Sequence, residues 1–421
     1  MTKIMVIIVF VGMLLAGINF SFQLELGLDQ RVALPSNSYL QQYFGDLQDL
    51  LEVGPPMYIV VKGAFNYTTA IDQNQLCTVG GCNNNSVVNI YNNAPYMTPG
   101  ISSWLDDYIQ WSQNPQCCFA YPNGTVCYGD PTCTPCFPSS ADGRPPTDLF
   151  MQYLPTFLNF ANNAVCTQAG LAYTADTNIT NGGSTITASR FDGYHTTLRS
   201  QNDYINALRA AYWIADNQPN SDISIFPYSV FYIYFEQYLY IKSIAVMDIL
   251  LALGGVFIVS LLLLANIIAS LLVVICVGMV SVDLLGVMAL WNVNLNAVSV
   301  VNVVMAVGIS IEFCVHIAHT FIRSPKHLTK TEKAKYAISE MGSSIISGIF
   351  ITKLLGVTVL GFSKSEIFQV YYFRMYISIV LLGALHGLVL LPVLLSYFGT
   401  DKLSFDRFCK SKKGAQINLI N

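Results

Sequence analysis

The sequence predicts a polytopic α-helical membrane protein, in which one membrane span, a large cysteine-rich α+β domain and five further spans follow one another. Three observations lead to this class. The 421-residue chain is 53% hydrophobic but only 11% charged, whereas soluble domains carry about 25% charged residues. Six runs stay apolar over the roughly 20 residues that a helix needs to cross a hydrocarbon core. Eight of the 11 cysteines lie between the first two runs.

The six apolar runs are each long enough for a spanning helix. They cover residues 4–22, 244–265, 268–290, 297–322, 344–362 and 372–397. The second and third runs meet near Asn266, so we expect a tight helical hairpin there. A signal peptide is the alternative for the first run, but its length and the lack of a clear small-residue cleavage site favour an uncleaved span.

Basic residues beside the spans predict the orientation of the chain, because cytosolic loops carry the excess of Lys and Arg. Five basic residues lie in the loop 323–340 and five in the tail. Both segments would be cytosolic, which places the large loop in a lumen or outside the cell. The predicted organisation is a first transmembrane helix (1–22), a lumenal α+β domain (23–241), a five-helix transmembrane bundle (242–398) and a cytosolic tail (399–421).

Cysteine usage supports this orientation, since an even number of clustered cysteines indicates disulfides and an oxidising compartment. The eight are Cys77, Cys82, Cys117, Cys118, Cys127, Cys133, Cys136 and Cys166. Eight cysteines allow about a hundred pairings, of which Cys77–Cys82 is the easiest local one. A zinc site at Cys133-Thr-Pro-Cys136 is the alternative, but no second pair or histidine lies nearby.

Glycosylation signals agree, because four N-x-S/T acceptors lie in the same segment. They are at Asn66, Asn84, Asn123 and Asn178. Asn19 also matches, but it lies at the end of the first span, too close to the membrane for modification. Cys276, Cys314 and Cys409 lie in spans or in the tail, so we expect them to be free thiols.

The domain 23–241 shows helical patterns that alternate with strand patterns, which predicts one sheet covered by one helical layer. Helices are expected at 38–52, 102–111, 147–161 and 200–217, and strands at 57–61, 182–197 and the start of 221–238. In 38–52 we expect one packed face, formed by Leu40, Tyr43, Phe44, Leu47, Leu50 and Leu51. Pro155 should kink or break its helix.

Enzymes and nucleic-acid-binding proteins are disfavoured. The chain has no phosphate-binding loop, no GxGxxG and no paired CxxC motifs, and its basic residues do not alternate with aromatic ones. His195 and Asp192 lack a nearby nucleophile and read as ordinary polar residues at a strand end. We therefore expect no catalytic residue, no cofactor, no metal and no nucleic-acid partner.

A carboxylate and two imidazoles interrupt the fourth apolar run, in the sequence GISIEFCVHIAH. A charge at that depth costs a few kcal/mol or more. At about 100° per residue, Gly308, Glu312, His316 and His319 fall on one stripe about 80° wide, which we expect to face the bundle interior. Glu312 and His316 are at i and i+4, so they can hydrogen-bond. Lys353, in the fifth run, is another candidate partner for the carboxylate.

Two interpretations of this stripe stay open, besides a helix that does not span. In one, Glu312 and His316 exchange protons near neutral or endosomal pH and drive a rocking motion of the lumenal domain. In the other, a static ion pair fixes helix packing. The remaining polar residues in the spans are expected to be structural or to reach the interface; they are Asp248, Asp283, Asn296, Asn302, Arg374 and His386.

Several stretches resemble the C-terminal half of the Niemann–Pick type C intracellular cholesterol transporters. They are FPYSVFYIYFEQY, LNAVSVVNVVMAVGISIEFCVHI, MGSSIISGIFITK, FQVYYFRMY and GLVLLPVLLSYFG, with GCNNNS and the doublet Cys117-Cys118 in the cysteine-rich loop. The resemblance covers the chain to about Gly399. It implies the one-plus-five helix unit of the resistance–nodulation–division and Patched superfamily. It also implies the disulfides Cys77–Cys82, Cys117–Cys166, Cys118–Cys136 and Cys127–Cys133.

The resemblance further implies transport of a sterol or another lipid, with proton coupling carried over onto Glu312, beside His316, His319 and Lys353. The implied location is the late endosomal or lysosomal membrane, or else the plasma membrane. The family has two such halves and this chain one, so an N-terminal half, a dimer partner or a lumenal sterol-carrier protein are the expected partners. The tail AQINLIN lacks the dileucine signal expected of the family. The alternatives are a Patched-like receptor whose lumenal domain binds a protein, and an incomplete, inactive half.

Overall fold

The structure, a computed structural model, describes residues 2–63, 65–127, 130–138, 143–180, 184–219 and 223–400. The chain forms two compact units, a helical unit of residues 1–46 and 240–421 and an α/β unit of residues 47–239. From residue 401 onward, the predicted tail with its basic residues and Cys409 lies outside the described residues.

Six helices in the described residues are long and apolar enough to cross a membrane. We name them spans 1 to 6: Thr2–Ser21, Tyr232–Leu264, Ile267–Leu290, Ala297–Arg323, Lys330–Phe362 and Phe368–Phe398. Their number and order match the six predicted runs. Span 5 begins at Lys330, inside the segment predicted to be a loop. A capping box explains this start, because Thr329 and Glu332 satisfy each other's backbone N–H groups.

Asparagines set the start of two spans. Asn266 accepts a hydrogen bond from the backbone of Ala269 at 3.1 Å and begins span 3 directly after span 2, as the predicted hairpin requires. Asn296 accepts one from Ser299 at 3.1 Å and begins span 4. Each such cap contributes about 1 kcal/mol of helix stability.

The last two spans depart from regular α-helix. Span 5 contains the π-helical segment Ile346–Ile351 and ends in the 3-10 turn Val359–Phe362. Span 6 begins with the π-helical segment Phe368–Arg374 and has another at His386–Leu390. Such insertions are rare and frequent at functional sites.

Spans 1, 3, 4 and 6 build the core of the helical unit. Phe313, Cys314 and Ile317 of span 4 are fully buried against span 6 and span 3. Glycines let the helices approach: a Cβ on Gly387 would lie 2.6 Å from Cβ of Phe313. Cys276 and Cys314 are buried and free.

The α/β unit is built on an antiparallel sheet with the order β2-β6-β1-β7, and β5 also pairs with β6. The strands are β1 Pro56–Lys62, β2 Met97–Ser102, β3 Phe119–Ala120, β4 Thr134–Pro135, β5 Thr177–Ile179, β6 Ile186–His195 and β7 Ser224–Tyr228, with β3 and β4 forming a separate ribbon. Alternate residues of β1, Met57, Ile59 and Val61, point into the core and are at most 1% exposed, as the period of two in a strand predicts.

Helices cover this sheet, in agreement with the predicted sheet and helical layer. Those of residues 47–239 are Ala70–Leu76, Val87–Asn92, Trp104–Gln113, Thr147–Leu158 and Gln201–Asp216, with a 3-10 turn at Gly170–Tyr173. Ser103 caps the helix Trp104–Gln113 by accepting a hydrogen bond from the backbone of Asp106. Trp104, Tyr108 and Trp111 are fully buried. The ring of Tyr108 contacts that of Phe150, and the ring of Trp111 contacts that of Phe157.

Pro155 does not break its helix, whereas a break or a kink was expected there. The helix continues to Leu158, and Tyr153, Leu154, Phe157 and Leu158 are buried. A proline inside a helix costs about 3 kcal/mol, whereas each fully buried large apolar side chain contributes about 1.5–3 kcal/mol. Burial of residues on both sides of Pro155 therefore outweighs the lost hydrogen bond.

The helix Tyr39–Leu50 differs from its prediction in another way. None of its residues is buried, and Tyr39 and Leu50 are 82% and 75% exposed. Periodicity correctly placed its apolar side chains on one face, but periodicity carries no information about a packing partner.

Four disulfides join the cysteines of the α/β unit in the pairs that the resemblance implies: Cys77–Cys82, Cys117–Cys166, Cys118–Cys136 and Cys127–Cys133. Cys133 and Cys136 bond to different partners, so their thiolates are not available to the zinc site considered as an alternative.

Candidate functional site

The charged face of span 4 is built around one interhelical ion pair. Lys353 Nζ of span 5 donates to Glu312 Oε2 of span 4 at 2.5 Å. The ammonium group also lies 5.9 Å from the centre of the Phe313 ring, within the range of a cation–π contact. The side chains of Lys353 and Glu312 are 28% and 47% exposed. The pair therefore lies on the surface of the helical unit.

The stripe of span 4 does not face the interior of this unit, contrary to expectation. Gly308, Glu312 and His316 are exposed and His319 is half-buried, whereas Ser310, Phe313, Cys314 and Ile317 on the other face are buried. A Cβ on Gly308 would meet no described atom within 4 Å. The four residues thus lie on one side of the helix, as predicted. The side that packs against other helices is formed by apolar residues and Ser310 instead.

Glu312 and His316 are not hydrogen-bonded to each other in the described part of the chain. The carboxylate instead takes Lys353, 41 residues along the sequence. The i, i+4 spacing allows a contact within one helix, but a full positive charge from the neighbouring helix is the stronger partner. The His316 backbone carbonyl accepts from Thr320 Oγ1 at 3.0 Å.

Lys353 follows directly on the π-helical segment Ile346–Ile351 of span 5. A π-helical turn holds one extra residue, so the side chains after it are rotated relative to those of a regular helix. The segment thereby sets the direction in which Lys353 leaves span 5.

A second ionisable pair lies inside the helical unit. His386 Nε2 of span 6 is 3.2 Å from Asp283 Oδ2 of span 3, and the side chains are 0% and 4% exposed. From the sequence alone, both residues are expected to be structural or to reach the interface. The sequence shows both as unusual, because an ionisable residue within a span is rare and by default functional. It does not show that the two residues form a pair.

Other polar groups tie the spans together through backbone carbonyls. Asn302 donates to Tyr371 O at 2.5 Å, Arg374 to Trp291 O at 2.9 Å and Asn296 to Gly27 O at 3.2 Å. These contacts fit the structural role expected of Asn296 and Asn302.

In the α/β unit, His195 and Asp192 have separate partners. His195 Nδ1 lies 2.9 Å from Tyr96 O, and its Nε2 lies 2.9 Å from the Tyr232 hydroxyl. Burial lowers the pKa of His195. Asp192 lies 3.3 Å from Arg190, and burial raises the pKa of its carboxyl. The two residues therefore do not form a catalytic pair.

The four glycosylation acceptors Asn66, Asn84, Asn123 and Asn178 are all exposed. Asn66 Oδ1 accepts from the backbone of Thr68, and Asn123 Oδ1 accepts from that of Thr125. The side chains of these two acceptors thus lie folded over their own sequons at the surface.

No protein-family model matches the chain. It is 43% identical to NPC intracellular cholesterol transporter 1 of Sus scrofa, over 94% of this chain and 32% of that protein. It is 39% identical to NPC intracellular cholesterol transporter 1 homolog 1b of Drosophila melanogaster, over 94% of this chain and 33% of that protein. It is 36% identical to NPC1-like intracellular cholesterol transporter 1 of Homo sapiens, over 95% of this chain and 33% of that protein.

The chain spans about a third of the length of these relatives, all of which are named as transporters and not as enzymes. Identity of 36–43% extends over nearly all of the chain and includes both the spans and the disulfide-bonded unit. Over nearly its whole length, the chain is therefore similar to a region that makes up about a third of the Niemann–Pick type C intracellular cholesterol transporters.

Proposed function

We propose that this chain is a membrane module of a sterol transporter of late endosomal or lysosomal membranes, and that a proton on Glu312 couples transport to pH. The names of its relatives support the substrate. One observation carries the mechanism: the Glu312–Lys353 ion pair joins two spans on an exposed face of the helical unit.

Protonation of Glu312 removes the negative charge that holds Lys353. An ammonium group left without a counter-charge in a span costs a few kcal/mol or more. Lys353 must then move toward water or toward another acceptor. The π-helical segment before it supports such a movement, because an extra residue in a turn can shift along a helix without breaking it. Binding of a proton to Glu312 would thus cause span 5 to rotate relative to span 4.

His316 and His319 extend the same stripe beyond Glu312 by one and two turns. Imidazole exchanges protons between about pH 5 and pH 8, which covers the acidification of endosomes. We propose that these two side chains pass protons to and from Glu312. The histidines would carry the proton and not the counter-charge, because Lys353 already supplies the counter-charge of the Glu312 carboxylate.

In this scheme the disulfide-bonded domain lies in the lumen, in agreement with its cysteines and its exposed acceptor asparagines. The sterol would arrive from a lumenal sterol-carrier protein. An N-terminal half or a second copy of the chain would cover the exposed stripe of span 4.

The test is photolabelling of the full chain in nanodiscs with a photoactivatable sterol, at about pH 5 and about pH 7.5. We compare wild type, Glu312→Gln, Lys353→Met and the control Asp248→Asn, which changes another acidic residue in a span. Labelling should depend on pH in wild type and in the control. It should become independent of pH in the other two variants.

Two results would contradict separate parts of the proposal. Labelling no stronger than that with a photoactivatable phospholipid would refute a sterol as substrate. Sterol-specific labelling that keeps its pH dependence in Glu312→Gln would leave the substrate in place and refute the coupling through Glu312.

A further inference from the structure

We infer that Asp283 and His386 form a second proton-binding site inside the helical unit, which holds one shared proton and pins span 3 to span 6. The inference does not depend on sterol transport. It follows from the burial of the pair, from the hydrogen bond that fixes the imidazole tautomer and from the charge that remains when the proton leaves.

The site is closed by protein on the sides that the structure describes. His386 is fully buried, and the ring of Phe10 of span 1 stands edge-on to it, with ring centres 4.8 Å apart. Gly17 of span 1 lies against Asp283. A Cβ atom at position 17 would be 3.0 Å from Asp283 Oδ1. Only a glycine leaves room for the carboxyl group at this crossing. Span 1 therefore packs over the pair.

The tautomer of His386 follows from its other nitrogen. Nδ1 lies 2.9 Å from the backbone carbonyl of Leu382. A carbonyl oxygen only accepts, so Nδ1 carries the hydrogen and donates it. In a neutral imidazole, Nε2 is then an acceptor. It faces Asp283 Oδ2 at 3.2 Å, and an ionised carboxylate is also an acceptor.

Two acceptors at this distance repel each other unless a proton lies between them. One proton removes the conflict in either of two ways: as an imidazolium beside a carboxylate, or as a carboxylic acid beside a neutral imidazole. Both forms are neutral overall. The contact has the length of an ion pair but does not meet the angles of a hydrogen bond. Among the described residues, neither oxygen of the Asp283 carboxylate nor His386 Nε2 has a hydrogen-bond partner, so a proton between them would supply the missing bond.

Loss of the proton would leave one negative charge, buried and unpaired. An uncompensated buried charge is strongly destabilising, so the contact stabilises the fold only while the proton is in place. Deprotonation would push Asp283 away from His386 and weaken the contact between spans 3 and 6. His386 begins the π-helical segment His386–Leu390, so that the site lies where span 6 is already irregular.

The neighbouring helices contribute further titratable groups, which belong to spans 1, 3, 4 and 6: Lys3, Cys276, Glu312, Cys314, His316, His319, Arg323, Tyr371, Tyr372, Arg374, Tyr376 and Tyr397. The charged ones among them have partners of their own where the contacts are known. Lys3 donates to Thr331, Glu312 pairs with Lys353, and Arg374 donates to Trp291 O. The proton of the pair is thus governed mainly by Asp283 and His386 themselves.

The experiment measures the thermal unfolding temperature of the full chain in detergent between about pH 6 and about pH 10. Because the proposed folded state holds a proton that the unfolded state does not, wild type should lose stability as pH rises and this proton is removed. The expected loss is about 3 °C for each further pH unit. Asp283→Asn cannot ionise and its amide can donate to Nε2, so this loss should disappear. Asp248→Asn should behave as wild type.

Parallel curves for wild type and Asp283→Asn would overturn the inference, whether or not the variant is less stable at every pH. If Asp283→Asn does not fold, ¹⁵N NMR of histidine in the wild-type chain decides. The His386 signal is assigned through its contact with ¹³C-labelled aspartate. A proton on Nε2 or a hydrogen bond to it at neutral pH supports the shared proton, and a bare acceptor at Nε2 refutes it.

Discussion

Substitution of Gly286 by alanine tests the packing of span 1 on span 3 directly. A Cβ at position 286 would lie 2.6 Å from Cα of Gly17 and 3.1 Å from its carbonyl oxygen. These are backbone atoms, which cannot rotate away as a side chain does. The two helix axes would have to separate near Asp283, which Gly17 covers.

The magnitude follows from two opposed effects. Carbon atoms in contact normally lie about 3.5–4 Å apart, so the new methyl group overlaps its neighbour by about 1 Å. Overpacking of this kind costs about 1–3 kcal/mol. Alanine in place of glycine within a helix returns about 1 kcal/mol. We therefore expect Gly286→Ala to destabilise the helical unit by up to about 2 kcal/mol.

Gly278, also in span 3, provides a matched control. A Cβ there would lie 3.6 Å from Leu253 Cδ1, an ordinary van der Waals contact. Gly278→Ala should therefore be neutral or stabilising by up to about 1 kcal/mol. The same chemical change in one helix thus has opposite expected signs. The measurement is reversible unfolding of both variants in mixed micelles at one pH.

An unfolding free energy of Gly286→Ala equal to or above that of Gly278→Ala would refute the reasoning. It would mean that spans 1 and 3 do not meet at Gly17 and Gly286. The reciprocal change Gly17→Ala provides an internal check, since it meets Asp283 Oδ1 at 3.0 Å and Asp283 Cα at 3.1 Å and should lower stability as well.

Three further predictions concern the ion pair, the buried histidine and the disulfides. Glu312→Gln or Lys353→Met alone should cost about 3 kcal/mol, because each leaves a charge unpaired in a membrane span. The double variant should cost less than the sum of the two in a double-mutant cycle measured by unfolding in bicelles, and additive costs would contradict a direct pair. Burial lowers the pKa of His195 from its ordinary 6.5. The unfolding free energy of the α/β unit should therefore fall by up to about 1.4 kcal/mol per pH unit as pH falls below that value. Chemical denaturation should show this slope in wild type and not in His195→Gln. Loss of the Cys117–Cys166 bridge, which spans 49 residues, should lower the unfolding free energy by about 4 kcal/mol. Loss of Cys77–Cys82, which spans 5 residues, should lower it by about 2 kcal/mol. Each pair is replaced by alanine, and equal losses would speak against loop closure as the cause.

Much of the fold could be predicted because it depends on local pattern and length. Six apolar runs of spanning length gave the six spans, and Ser103 and Asn266 marked the starts of two helices, as side-chain caps do. Pro155 shows the limit of such rules, since tertiary burial of its neighbours outweighed the local cost.

The candidate sites depended on contacts between distant parts of the chain, which periodicity does not contain. The sequence showed that Glu312 shares a stripe with His316, but the choice of Lys353 as partner depends on how spans 4 and 5 are placed. In the same way, Asp283 and His386 were visible as unusual residues, yet only the packing of span 3 on span 6 makes them a pair.

The contact between Gly17 and Gly286 also constrains the biogenesis of the chain. Span 1 is synthesised before span 3, and the complete α/β unit lies between them in the sequence. At roughly 5–20 residues per second, that delay amounts to tens of seconds. During this time span 1 must remain in the bilayer, or beside the insertion machinery, with its glycine face unoccupied. Its partner for Phe10, His386, arrives later still. Span 1 is thus synthesised well before the helices against which it packs.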